Sequence, residues 1–189
     1  MNGTGPGVNL NGIDVAALND FVEDVRDNDE KGIAAFKVKT EWKGQTRTVS
    51  TVSAYELNGA TFNRHFEIPA DEPPELLGSN TAANPQELLM AALNACMSVG
   101  YAANAAAMGI KLDSLEIETE GTLDLRGFLG LDPAIKPGYE VVHYTVRIKS
   151  NAPREKVEEL HQLIMKTSPN FSNFATSIRM VPNLVAERA

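Results

Sequence analysis

The stretch NPQELLMAALNACMSVGYAANAAAMG, residues 84–109, reads as one long helix with both ends marked. Asn84 is a capping residue, Pro85 suits the first helical position, and Glu87 stands three residues after the cap. Gly109 is a natural stop. Between these ends the surface is apolar nearly all round and rich in small side chains. That pattern predicts a central helix over 85–108, covered on several sides, rather than a helix lying on a surface. The helix also carries Cys96, the one cysteine of the chain.

The flanks of this helix alternate. Before it, AFKVKTEWKG puts Phe36, Val38, Thr40 and Trp42 on one face and Lys37, Lys39, Glu41 and Lys43 on the other, a half-buried strand. TRTVSTVSAY reads as its hairpin partner and TFNRHFEI as a third strand. After the helix, SLEIETEGTLDLR turns Leu115, Ile117, Leu123 and Leu125 inward. FLGLDPAIKPG is a loop, and YEVVHYTVRIKS is a strand with Val142, Tyr144, Val146 and Ile148 inward. PREKVEELHQLIMK is a helix with Val157, Leu160 and Ile164 on its inner stripe; it should stop at Pro169 in TSPNFSN. SIRMV reads as a short closing strand.

At the amino end, IDVAALNDFVEDVRD spaces Ile13, Ala17, Phe21 and Val25 four apart, with Leu18 and Val22 widening the stripe. Residues 1–12 read as a flexible tail, 13–31 as an added helical segment, and 32–189 as one domain. Helix, three strands, central helix, two strands, helix and strand is an α+β order, with antiparallel sheets around a buried helix.

Composition bounds the function. The 189 residues are 43% hydrophobic and 22% charged, which is globular. The net charge of −8, with no basic run, argues against nucleic acid as a partner. The start lacks the basic and apolar regions of a secretory signal, and no uninterrupted apolar run marks a membrane span. One cysteine allows no intrachain disulfide, which fits a reducing cytoplasm. No phosphate loop or metal-binding spacing occurs, and no cofactor is expected; His65, His143 and His161 read as packing or surface histidines.

Two residues stand out. Cys96 is either a small core residue, the commoner fate of a free cysteine, or a nucleophile. An apolar site disfavours the thiolate, so a reactive Cys96 needs a cation nearby. Arg64 shares strand parity with Phe62, Phe66 and Ile68. It either snorkels to water from an edge or aims its charge into a pocket.

NPQELLMAALNACM resembles the Asn-Pro-x-Glu-Leu…Ala-Cys helix of the osmotically inducible protein C and organic hydroperoxide resistance family. FNRHFE resembles the segment that carries that family's pocket arginine, and SPNFSN its Cys-Pro segment. The likeness runs over roughly residues 34 to 183. It implies an intertwined homodimer with active sites at the subunit interface. There a first cysteine attacks a hydroperoxide, an arginine held by a glutamate supports the thiolate, and a second cysteine resolves the sulfenic acid.

By that resemblance Cys96 falls on the first cysteine and Arg64 on the arginine. Ser168 stands where the second cysteine would be. Gln86 stands at the glutamate position, with Glu87 one residue later and already accounted for as the capping-box partner of Asn84. Gln86, Glu87 and Ser168 are therefore candidate pocket residues beside Cys96 and Arg64. Three readings stay open: a one-cysteine peroxidase for organic hydroperoxides that needs an external thiol, a redox-inactive homologue binding a small apolar ligand at the dimer interface, and an inert structural dimer.

Overall fold

The computed structural model describes residues 9–188. Of the expected tail, residues 1–8 lie outside the described residues. Residues 9–12 are no tail: β1 (Asn9–Leu10) and β2 (Ile13–Asp14) pair as a hairpin. Asn11, at φ 56°, makes the turn. Its amide donates to Ile110 O at 2.9 Å and accepts from Leu112 N at 2.9 Å, which fastens the hairpin to a distant turn. α1 (Val15–Asp27) follows, capped by Asp14, and lies against the central helix with no fully buried residue.

The first sheet has β5 (Thr48–Leu57) at its centre. On one side it pairs with β6 (Ala60–Ala70), and on the other with β3 (Ala34–Phe36) and β4 (Lys39–Trp42). All pairs are antiparallel. The single strand expected over 35–43 is interrupted at Lys37–Val38. Phe36 pairs with Tyr55 but Lys39 with Thr51, so the register slips by one residue across the gap. The β5–β6 ladder is irregular at the same level, between Val52 and Ala54. A bulge of this kind bends the strand and breaks the alternation of its faces.

α2 (Pro85–Ala107) is the organising helix. Its capping box is complete: Asn84 Oδ1 accepts from Glu87 N, and Glu87 Oε2 accepts from Asn84 N, both at 2.8 Å. By length and composition α2 is apolar enough to cross a membrane, but one face of it builds the protein core. Leu93, Met97, Tyr101 and Ala105 meet Ile110 and, from α4 (Arg154–Thr167), Leu160 and Ile164. The hairpin of β7 (Leu112–Gly121) and β8 (Val142–Ser150) closes the other side with Leu115, Ile117, Tyr144, Val146 and Ile148. Each fully buried large side chain contributes about 1.5–3 kcal/mol, so the half of the chain from α2 onward carries its own core.

Four further expectations change. Leu123 and Leu125 do not extend the strand, because Asp124 caps a short helix, α3 (Leu125–Phe128). Pro169 ends α4 but also opens α5 (Pro169–Ala175), since a proline that cannot continue one helix fits the first position of the next. SIRMV forms no strand: residues 177–181 have no ladder partner among the described residues, and Ile178, Met180 and Val181 are exposed. Finally, one chain covers only one side of α2. Leu89, Ala92, Ala95 and Val99 are exposed. The first sheet does not supply the missing cover, because its strands pack on one another and make no extensive contact with any helix.

Candidate functional site

Cys96 is half-buried, halfway along α2, at the edge of its open side. Its Sγ lies 3.6 Å from Ser168 Oγ. Ser168 is almost fully buried, at 4% exposure, in the corner between α4 and α5. Its N–H donates to Ile164 O at 2.9 Å, and its Oγ accepts from Phe171 N at 3.3 Å, capping α5. Asn170 anchors the corner to α2 by donating to Ala92 O at 2.8 Å, one turn before Cys96. The serine that the sequence aligned with a resolving cysteine therefore sits beside the candidate nucleophile.

The other candidates lie apart in a single chain. Gln86 lines an open groove of about 710 Å³ whose apolar walls include Leu89, Leu93, Tyr144, Phe171 and Phe174. Cys96 and Ser168 are not on that wall. Glu87 is engaged in the cap of α2 through both its backbone and its carboxylate. Arg64 does not hydrogen-bond Cys96. Its guanidinium lies over the rings of Tyr55, at 5.0 Å, and Phe66, at 5.6 Å, on the exposed first sheet. Phe36, Tyr55 and Phe62 stack along the same row, so this cation sits on an uncovered aromatic surface.

Three polar constructions escaped sequence reasoning. Asp71 is buried and accepts five hydrogen bonds: from Thr46 Oγ1 at 2.7 Å, Glu72 N at 2.9 Å, Ser79 N at 3.2 Å, and Thr81 N and Oγ1 at 3.1 and 2.7 Å. The Thr46 hydroxyl, and after it the Thr81 hydroxyl and the Thr81 and Glu72 N–H groups, outweigh burial and hold its carboxyl far below the usual 3.8. This knot fixes the loop that leads into α2. The loop also needs Gly78, because a Cβ there would stand 1.7 Å from Glu72 O.

The second construction is Asn94, which donates from α2 to Ile117 O at 3.2 Å and accepts from Thr119 Oγ1. The third is the fully buried Tyr101, whose hydroxyl meets His161 Nδ1; burial, and then Tyr144, push its phenol up. The polar loop 71–81 was the only visible signal of the first. Nothing in local spacing marks the other two.

An α+β chain with one cysteine on a long, small-residue helix, facing a helix–helix corner, defines a narrow class. The family profile described as OsmC-like protein matches residues 78–181. The chain belongs to the OsmC-like family. No curated protein matches it. Among solved structures, an OsmC-like protein from Mycoplasma pneumoniae is similar at 14% identity and TM-score 0.60, covering 75% of this chain and 88% of that one. An osmotic stress induced and detoxification response protein from Psychrobacter arcticus 273-4 is similar at 19% identity and TM-score 0.55, with 71% and 85% covered. An OsmC-like protein of unknown function from Vibrio cholerae gives 16%, 0.52, 74% and 93%. These likenesses concern the fold.

Proposed function

We propose that the protein is a one-cysteine peroxidase that reduces organic hydroperoxides at the expense of an external thiol. The observation that carries this reading is the placement of Cys96 at the open side of α2, 3.6 Å from Ser168 in the α4–α5 corner. The thiolate of Cys96 attacks the distal peroxide oxygen. The S–O bond forms as the O–O bond breaks, and the alkoxide takes a proton from solvent and leaves as alcohol. The sulfur is now a sulfenic acid. With no second cysteine in the chain, an external thiol displaces water to give a mixed disulfide, and a second thiol releases Cys96.

The thiolate needs a cation, and Arg64 is the candidate. Its sheet stands clear of its own α2, so the guanidinium serves Cys96 from a second copy of the chain. The proposed assembly is a homodimer in which the aromatic row of one sheet covers the open face of the partner's α2.

The experiment is peroxide loss with a small dithiol, comparing wild type with Cys96→Ser. Wild type should turn over only while thiol is present, and Cys96→Ser should fall to the uncatalysed rate. Equal loss in both would overturn the peroxidase reading. The groove of about 710 Å³ favours a second reading, a redox-inactive homologue that binds a small apolar ligand. That reading predicts equal rates for wild type and Cys96→Ser, together with undiminished binding of an apolar fluorescent probe by Cys96→Ser.

A further inference from the structure

We propose that Ser168 is a positioning residue for Cys96, donating its hydroxyl proton to Sγ. The inference rests on the peroxidase reading for its purpose but not for its test. Ser168 Oγ uses a lone pair to accept from Phe171 N. A hydroxyl still has one proton to give. Among the described residues the only acceptor within reach of it is Cys96 Sγ, at 3.6 Å. A buried hydroxyl without an acceptor is costly, so the proton has a physical reason to point at the sulfur.

The consequence follows from the acceptor. A donor aimed at an acid's conjugate base favours the charged form, and a sulfur anion accepts more strongly than a thiol. The hydroxyl also fixes the side chain of Cys96 at the corner instead of leaving it free on the open side of α2. A second cysteine at position 168 would offer a disulfide partner; serine cannot form that bond. Serine retains the polar contact and gives up resolution, so the oxidised sulfur stays available to an incoming thiol.

The measurement is the rate of Cys96 alkylation by iodoacetamide against pH, without peroxide. Ser168→Gly removes the hydroxyl, yet glycine is nearly as good a helix cap, so α5 should persist. Its rate–pH curve should move to higher pH, so that less of Cys96 is present as thiolate at a fixed pH on the rising limb. Because a more basic thiolate is a better nucleophile, the net rate there should fall by less than the thiolate fraction does. Ser168→Thr, which keeps the hydroxyl, should restore the wild-type curve.

Asn170→Ala loosens the α4–α5 corner without touching the hydroxyl and should leave the midpoint in place. An unmoved curve in Ser168→Gly, or an equal displacement in Asn170→Ala, would overturn the proposal. Failure of peroxide turnover in wild type, with the Ser168→Gly displacement intact, would overturn the peroxidase reading alone.

Discussion

At the scale of single residues, the largest concentration of polar bonding is not at the cysteine but at Asp71. A buried carboxylate with five donors and no cation is satisfied only while ionised. Asp71→Asn places an amide N–H₂ where an acceptor is required, so it should lower the melting temperature by roughly 4–8 °C at pH 7. The pH dependence has a definite sign. The folded carboxyl titrates below the usual 3.8, so its contribution is complete above about pH 4 and is lost as pH falls toward the folded value. Thermal melts of wild type and Asp71→Asn should therefore differ by a constant amount from pH 7 to about 5 and converge below 4. A gap that widens on acidification would refute the role assigned to Asp71. In the sequence only the polar character of the 71–81 loop hinted at this residue, because its partners at 46, 72, 79 and 81 converge only once the loop is folded.

At the scale of elements, legibility followed the range of the forces involved. The start of α2 was readable because its cap is local: Asn84, Pro85 and Glu87 satisfy the helix end among themselves. The alternation in β7 and β8 was readable because one face packs on a core the chain itself supplies. The break in the first strand was not, since the neighbouring β5 imposes it. The loss of SIRMV as a strand has the same origin, because a strand needs an edge and among the described residues none pairs with it. Of the site, the family pattern put Cys96, Arg64, Gln86 and Ser168 at one pocket; within one chain the fold sets Cys96 beside Ser168 but leaves Gln86 on a separate groove and Arg64 on the first sheet.

Glu87 separates an element's role from a site's role. Glu87→Ala removes one arm of the capping box and should cost about 1 kcal/mol, a fall of roughly 2–4 °C in melting temperature. It should leave the rate of Cys96 alkylation unchanged. A slowed thiol with an unchanged melt would place Glu87 in the site instead of the cap.

At the scale of the whole molecule, the chain is divided between a half with a core and a sheet without one. Phe36 and Trp42 are each about three-quarters exposed, at 73% and 72%, and Phe66 at 57%. Contiguous apolar surface of this kind marks an interface. The open side of α2 is a matching apolar strip with small side chains that allow close approach. In the proposed homodimer a second copy would cover both surfaces at once and bring Arg64 of one chain to Cys96 of the other. Light scattering should give twice the chain mass, and Phe36→Ser with Phe62→Ser should shift the protein toward monomer and make its melt independent of concentration. The arrangement of charge and thiol has its own test. Arg64→Ala should slow alkylation of Cys96, and Cys96→Ser has no thiol to alkylate. If Arg64 acts across the interface, a heterodimer of the two variants contains one intact site, formed by Cys96 of one chain and Arg64 of the other. Co-refolding the two variants should then restore a fast-reacting cysteine that neither has alone. If Arg64 acted within its own chain, every cysteine in the mixture would lack its arginine and the rate would stay slow.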